Sequence, residues 1–465
     1  MDILLTHGYY LYSDPQELQV MRPYPPLGLL YISSHLKKRG FQVGVFDTTF
    51  SSLEHFEQYM IGHRPPVVGI YCNMMTRPNV LGMVRVCNTY GATVIAGGPD
   101  PANYPENYLA HGVAVVVVGE GELTLEELLP HLARHGVRQL EQVQGVVYRD
   151  EHGQIVRTAP RPHIEDLSAQ PFPDRAAIDI DRYLATWRAH HGQGAVSLIT
   201  ARGCPYRCNW CSHAVYGYSH RRRSPENVAD EVEEILATYQ PDLLWYADDV
   251  FTIHSRWFKA YAAELKRRNI RIPFETISRE DRLNEEIVRM LAEMGAYRIW
   301  IGAESGSQRI LDAMERQTNA ARVSEMVHLL QRHGIQAGMF IMLGYEGEEI
   351  VDLQETVDLL KRSTPDVFLT TVAYPIKGTP YYEKVADRVA PRKPWHQGSD
   401  RDHTVRGRHS GRFYRFATRW MVGEVHYHQQ RQSPRPDYLR MAKAFASAKI
   451  GRLGMRITQQ EVEHG

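Results

Sequence analysis

The sequence predicts an α/β protein built in two successive runs: a Rossmann-like parallel sheet, then a partial (β/α)6 barrel, closed by a mainly helical C-terminal region. Three observations predict it. Short apolar strands alternate with helical stretches through the first 130 residues, a second alternation begins near residue 195, and the strand signals fade after Pro380. Strands separated by helices of about 10–15 residues imply parallel sheets with helices on the faces. A chain of 465 residues suits two or three domains of roughly 100–200 residues each. The expected division is a first α/β domain over residues 1–140, a ribbon and linker over 141–190, a barrel over 191–385 and a helical region over 386–465.

In the first run, Asp2–Thr6, Gln42–Asp47, Val67–Cys72, Thr93–Ala96 and Val113–Val118 read as strands. Helices are expected over Pro26–Arg39, ended by Gly40, around Asn79–Thr89, and from Thr124 onward. The proline pair before the first of these fixes φ and starts the helix cleanly. Ligands on such sheets bind at the carboxyl ends of the strands. Two glycine-bearing loops stand there, Gly97-Gly98-Pro99-Asp100-Pro101 and Gly119-Glu120-Gly121-Glu122. Residues Gly145–Ile155 read as a small ribbon, and Glu165–Arg175, with Pro171 and Pro173, as an extended linker. The second run offers strands at Ala195–Thr200, Leu243–Ala247, Pro273–Ile277, Tyr297–Ile301, Gln336–Met342 and Phe368–Ala373, with helices such as Ser224–Tyr239 and Asn284–Met294 between them. Six βα units suit a partial barrel whose active face is formed by the strands' carboxyl ends.

Composition narrows the function. With 54 Lys and Arg against 54 Asp and Glu, the chain lacks the basic excess of a typical nucleic-acid binder. The balance hides an asymmetry: residues 391–465 carry 15 basic and 6 acidic side chains, leaving the rest net negative. That tail reads either as a solvated helical face or as a basic lid or docking surface. The N-terminus shows no signal-peptide pattern, and the longest apolar run, Val113–Val118, has the length of a buried strand rather than a membrane span. A cytoplasmic location is expected.

Three of the five cysteines, Cys204, Cys208 and Cys211, fall within eight residues directly after a predicted barrel strand. Three thiolates in one loop can hold three corners of a cubane iron–sulfur cluster and leave the fourth iron open to a small molecule. The alternative is a zinc site completed by His213, although zinc ligands usually come as two separated pairs and no second Cys pair is present. Cys72 and Cys87 read as small buried hydrophobes.

The motif Cys204-Pro-Tyr-Arg-Cys208-Asn-Trp-Cys211 at the end of a first barrel strand resembles the radical S-adenosylmethionine (SAM) superfamily. Downstream, Arg221–Ile235, Trp245–Thr252, Ile299–Ser307 and Gly338–Glu348 resemble successive elements of that family in the expected order. With the N-terminal α/β domain, the chain is similar to the cobalamin-binding branch over roughly residues 1–385. That branch includes class B radical SAM methyltransferases and the anaerobic magnesium-protoporphyrin monomethyl ester cyclase.

The resemblance implies three cofactors: a [4Fe-4S] cluster on Cys204, Cys208 and Cys211, SAM, and cobalamin. It implies SAM contacts from Trp210, from Asp248 or Asp249 to the methionyl ammonium, from Glu304 to the ribose, and from the backbone at Gly338 and Gly344. Bland readings stand beside these: an aspartate capping the next helix, a barrel-rim salt bridge for Glu304, a plain turn at the glycines. For cobalamin it implies Cys72, Asn73, Met74, Met75 and Thr76 against the corrin, with Gly97, Gly98, Pro99, Asp100, Gly119, Glu120, Gly121 and Glu122 around the nucleotide tail. No Asp-x-His-x-x-Gly motif is present, so a histidine of that motif cannot be the lower cobalt ligand.

The expected activity is reductive cleavage of SAM to a 5′-deoxyadenosyl radical, with methylation of an unactivated carbon of a small-molecule substrate as the leading outcome and oxidative cyclisation of the porphyrin type as the alternative. A one-electron donor such as flavodoxin or ferredoxin is implied. From another class, a zinc- or cobalamin-binding module without catalysis stays open. In the tail, Phe413, Tyr414, Phe416, Trp420 and Tyr427 lie among arginines; their helical spacing favours a packed lid over nucleic-acid binding.

Overall fold

A computed structural model describes residues 1–463. The chain forms two compact units: Met1–Pro205 with Ser212–Trp245 and Lys393–Arg401, and Tyr206–Cys211 with Tyr246–Arg392 and Asp402–Gly465.

In the first unit a seven-stranded sheet is built from β1 (Ile3–His7), β2 (Val43–Phe46), β3 (Val67–Tyr71), β4 (Thr93–Gly97), β5 (Val115–Val117), β6 (Val146–Arg149) and β7 (Ile155–Arg157). Their order is β2-β1-β3-β4-β5-β6-β7. β1 to β5 are parallel, and the ribbon β6–β7 is added antiparallel. All five residues of β1 and all three of β5 are buried, as sheets covered on both faces require. One core lies between the sheet and the helices Leu53–His63 and Arg77–Thr89, the other between the sheet and the helices Leu27–Lys38 and Gly121–His135. Strand order reverses between β1 and β3, which marks a switch-point crevice beyond their carboxyl ends.

The second run contributes β8 (Ala195–Leu198), a short antiparallel ribbon of β9 (Ala201–Arg202) and β10 (Arg221–Arg222), and β11 (Leu243–Tyr246) beside β8. In the second unit, β12 (Phe274–Ser278), β13 (Ala296–Glu304), β14 (Gln336–Leu343) and β15 (Val367–Val372) form a parallel ladder in chain order. Local chemistry sets the helices between strands. Ser224 accepts from the Asn227 N–H ahead of helix Pro225–Tyr239, which has Pro225 in its first turn. Helix Glu285–Met294 is capped by Asn284 and stopped by Gly295. Gly295 has φ +105°, and a Cβ there would meet the Ile272 carbonyl at 2.7 Å, so only glycine fits this turn.

After β15 the chain is less purely helical than expected, because β16 (Val389–Pro391) pairs antiparallel with β17 (His403–Val405). Helices Gly411–Gln432 and Tyr438–Thr458 then pack closely on each other. A Cβ at Gly451 or Gly454 would come within 2.5 Å of the Trp420 backbone or 2.3 Å of the Phe416 ring. Phe413, Tyr414 and Trp420 are buried, so these three aromatics form a packed face.

Candidate functional site

The ribbon β9–β10 opens the cysteine loop. Gly203 has φ +83°, and a Cβ there would lie 2.3 Å from the Ser219 carbonyl oxygen. Cys208 is buried, Cys204 half-buried and Cys211 exposed. The Cys211 N–H donates to the Cys208 carbonyl at 3.2 Å, a tight turn between the last two. Among the described residues no three Cys, His, Asp or Glu side chains are gathered as a closed ligand set; the three sulfurs share one loop.

Within the second unit, the part of that loop from Tyr206 to Cys211 is clamped by groups the sequence reading did not single out. Asn209 is buried. Its amide donates to the Ala313 carbonyl at 2.9 Å, its amide oxygen accepts from Tyr345 at 2.6 Å, and its backbone N–H donates to the Met314 carbonyl at 3.2 Å. The Tyr381 N–H closes the clamp by donating to the Asn209 carbonyl at 2.8 Å. Tyr206 lies under the Arg279 guanidinium at 3.8 Å and accepts from Arg282 at 2.5 Å. Trp210 packs against the cluster formed by Ile310, Met314, Tyr345 and Tyr381, so its indole is anchored in the core of the unit.

Arg316 is the principal charged neighbour of Cys208. It is buried, with one terminal nitrogen 3.9 Å from Sγ and the other donating to the Gly302 carbonyl at 2.8 Å. Burial opposes its charge, yet Glu304, Cys208 and Glu280 hold its pKa above the ordinary value. Glu304 ends β13 with φ +60°, a backbone strain that non-glycine residues keep where the surrounding structure enforces it. Burial pushes its carboxyl up to about 7 against the opposing pull of Arg316. Glu280 is fully buried, neither of its carboxyl oxygens has a hydrogen-bond partner within the described residues, and burial raises its pKa.

The other expected SAM positions fall in the same unit. Asp248 is buried and Asp249 exposed just beyond β11. Gly338 sits within β14 rather than at its edge, and a Cβ there would meet the Trp300 ring at 2.5 Å; at Gly344 it would meet the Tyr414 ring at 2.7 Å. The space beside each glycine is therefore already filled by an aromatic ring.

In the first unit, Cys72–Thr76 follows β3 at the switch point, and Gly8–Leu11 flanks it after β1. Tyr71 and Met75 are exposed there. The Cys72 thiol is instead buried, 3.0 Å from the Tyr108 hydroxyl, and burial pushes its pKa up to about 12; Cys87 is likewise buried. Gly97 ends β4, and Gly98, with φ +106°, precedes the short helix Pro99–Asn103. Asp100 is paired with Arg77 at 2.7 Å. Gly119 has φ +94°, and a Cβ there would meet the Val215 carbonyl only at ordinary contact distance, 3.9 Å; helix Gly121–His135 starts three residues earlier than expected. Glu120 and Glu122 each accept from Arg202 at 2.6 Å, and Glu120 also from Arg221 at 2.8 Å. Both carboxylates thus tie their loop to the β9–β10 ribbon.

These residues fit the implied groups in part. The all-sulfur donor set beside a buried guanidinium suits an iron–sulfur cluster, since cationic neighbours favour thiolates. The exposed Tyr71 and Met75 with the positive-φ turn at Gly119 suit an apolar ring system and its polar tail. His213 donates through Nδ1 to the Gly217 carbonyl, 3.1 Å away.

Comparison with known proteins decides the family. A model described as the radical SAM superfamily matches residues 198–360, and one described as the B12 binding domain matches residues 19–129. The chain is a B12-binding radical SAM enzyme. It is 25% identical over 393 residues to an uncharacterized methyltransferase of Pyrococcus horikoshii, covering 83% of this chain and 84% of that one. It is 24% identical to the anaerobic magnesium-protoporphyrin IX monomethyl ester cyclase of Rubrivivax gelatinosus, covering 84% and 71%. Among solved structures, the cobalamin-dependent SAM radical enzyme OxsB with aqua-cobalamin bound superposes with a TM-score of 0.76 at 17% identity, covering 98% of this chain and 72% of that one. For a radical SAM enzyme of this type, a [4Fe-4S] cluster, SAM and cobalamin are the cofactors, and a reductant is required. Among the described residues, no helix is long and apolar enough to cross a membrane.

Proposed function

We propose that the enzyme methylates an unactivated carbon of a small molecule. The observation that carries this reading is the stretch Tyr206–Cys211, with two of the three cysteines, gripped in one unit with Glu304 and Arg316, in a chain that also carries a B12-binding domain. When bound, the cluster and SAM supply a hydrogen-abstracting radical, and cobalamin supplies the methyl group.

The chain's own residues position and insulate this chemistry. Cys204, Cys208 and Cys211 hold the cluster while Asn209 and Tyr345 fix the loop that carries two of them. Glu304 presents its carboxyl to the ribose hydroxyls, and Asp249, the exposed member of its pair, reaches the methionyl ammonium. Trp210 walls the pocket through its packed indole. On the cobalamin side, Asn73, Met74 and Met75 would lie against the corrin, with Thr76 buried behind them and donating to the Asn73 carbonyl. Gly97, Gly98 and Pro99 and the Gly119-Glu120-Gly121-Glu122 turn would hold the tail. Cys72 and Asp100 support that surface from beneath, through Tyr108 and Arg77. The electron comes from a flavodoxin or ferredoxin, and the enzyme works in the cytoplasm. The domain assignment is cobalamin binding over 1–140, ribbon and linker over 141–190, radical SAM barrel over 191–385 and helical closure over 386–465.

Product stoichiometry tests the reaction type. Methylation by this route gives 5′-deoxyadenosine and S-adenosylhomocysteine in equal amounts per product. Cyclisation gives 5′-deoxyadenosine without S-adenosylhomocysteine, and that result would move the enzyme to the cyclase reading.

A further inference from the structure

The last helix, Tyr438–Thr458, has two apolar faces with different textures. One carries small residues, Ala444, Ala448, Gly451 and Gly454, buried against helix Gly411–Gln432. The opposite face is aliphatic and open to solvent: Leu439 is 66% exposed, Ile450 46%, Leu453 58% and Ile457 67%. Positions 439, 446, 450, 453 and 457 fall on one stripe at helical spacing. Basic residues border it, Lys443 on one side and Lys449, Arg452 and Arg456 on the other, and no acidic residue lies between Tyr438 and Thr458.

We propose that this helix is an interfacial anchor that lays its outer face on an anionic lipid bilayer. An aliphatic stripe bordered on both sides by long cationic side chains is the pattern of a helix lying in the plane of a membrane surface, with its Lys and Arg heads reaching the phosphates and its aliphatic groups entering the acyl boundary. The helix is not a span, in keeping with the lack of any crossing helix among the described residues. Charge selects the occupant. A second copy would bring Lys443, Lys449, Arg452 and Arg456 against the same cations, an apposition that costs free energy. Nucleic acid would match the charge, and Tyr438 and Phe445 are exposed beside the stripe, but the stripe itself is aliphatic through Leu439, Ile450, Leu453 and Ile457 and suits acyl chains rather than stacked bases. The inference is independent of the reaction proposed above, because it concerns a face outside the cofactor-holding residues.

Flotation of the full-length enzyme with vesicles tests it directly. Binding to vesicles of equal parts phosphatidylglycerol and phosphatidylcholine should exceed binding to phosphatidylcholine alone by about tenfold or more, and should weaken with salt. Leu453→Asp with Ile457→Asp, and separately Arg452→Glu with Arg456→Glu, should each lower partitioning about tenfold or more. Melting temperature and SAM cleavage in solution should not change in either double variant. Equal binding to both vesicle types, or variants that bind like the parent, would overturn the proposal. So would a dimer in light scattering that Leu453→Asp dissociates, which would give the stripe to a second copy, or retention of RNA in place of vesicles.

Discussion

The guanidinium of Arg316 lies 3.9 Å from the Cys208 sulfur while its other terminal nitrogen donates to the Gly302 carbonyl. A fixed positive charge and a donor at a cluster ligand favour the more negative, reduced state of the cluster. Arg316→Gln should therefore shift the cluster midpoint potential to more negative values by on the order of 100 mV, as the Coulomb energy of one buried charge at that range implies. Arg316→Lys should shift it less. Redox titration followed by electron paramagnetic resonance reads both, and an unchanged potential in Arg316→Gln would show that the charge does not reach the cluster.

Asn209 makes two side-chain and two backbone hydrogen bonds inside the loop clamp. Asn209→Ala removes the nearer acceptor of the Tyr345 hydroxyl and a donor to the Ala313 carbonyl, leaving only the longer 3.3 Å bond between those two groups, and should cost about 1–2 kcal/mol of stability. Iron loss to a chelator should also be faster than in the parent. Urea unfolding and the time course of iron release measure the two effects.

The buried triad of Arg202 with Glu120 and Glu122 predicts a folding phenotype for a loop proposed above to surround the cobalamin tail. Glu120→Gln removes the partner of two arginines and should destabilise the first unit by about 3 kcal/mol. The loss should appear in protein carrying no cobalamin. A purely ligand-binding role would leave that form's unfolding curve unmoved.

Glu348 gives a signed pH dependence. Burial pushes its carboxyl up to about 8, from an ordinary value of 4.5, while the Gly344 N–H that it accepts pulls the other way. Because the folded-state value is raised, the folded protein holds this proton more tightly than the unfolded chain. The stabilisation is complete below the unfolded value and is lost as pH rises through the folded one. Between pH about 6 and 9 the parent should lose roughly 2–3 kcal/mol relative to Glu348→Gln. Parallel slopes of stability against pH for the two proteins would contradict it.

Strand positions and the cysteine loop were legible because they rest on short-range patterns: continuous apolar runs, and three thiols at fixed spacing. Helix Ile180–His191 falls almost wholly in the segment 141–190 expected as ribbon and linker: Ile180, Tyr183, Leu184 and Trp187 stand at i, i+3, i+4 and i+7 and are buried, a helical pattern overshadowed by the adjoining prolines. Strands β16 and β17, with three residues each, carry too little pattern to be seen. The clamp on the cysteine loop was not legible, because Arg316 and Tyr345 lie more than a hundred residues from Asn209 and only the fold brings them together. The same holds for Asp100 and Glu120, whose loop positions suggest ligand contacts while their partners Arg77 and Arg202 stand elsewhere in the chain. Gly338 shows the converse: a small residue leaves room, and the neighbouring strand's Trp300 takes it.

The central claim is that the loop Cys204–Cys211 carries a cluster that cleaves SAM. Anaerobic reconstitution with iron and sulfide, followed by incubation with SAM and a strong reductant, tests it most directly. The parent should show broad visible absorbance and form 5′-deoxyadenosine, and Cys208→Ala should lose both. Absence of bound iron in the parent, or 5′-deoxyadenosine formation that survives Cys208→Ala, would contradict the account.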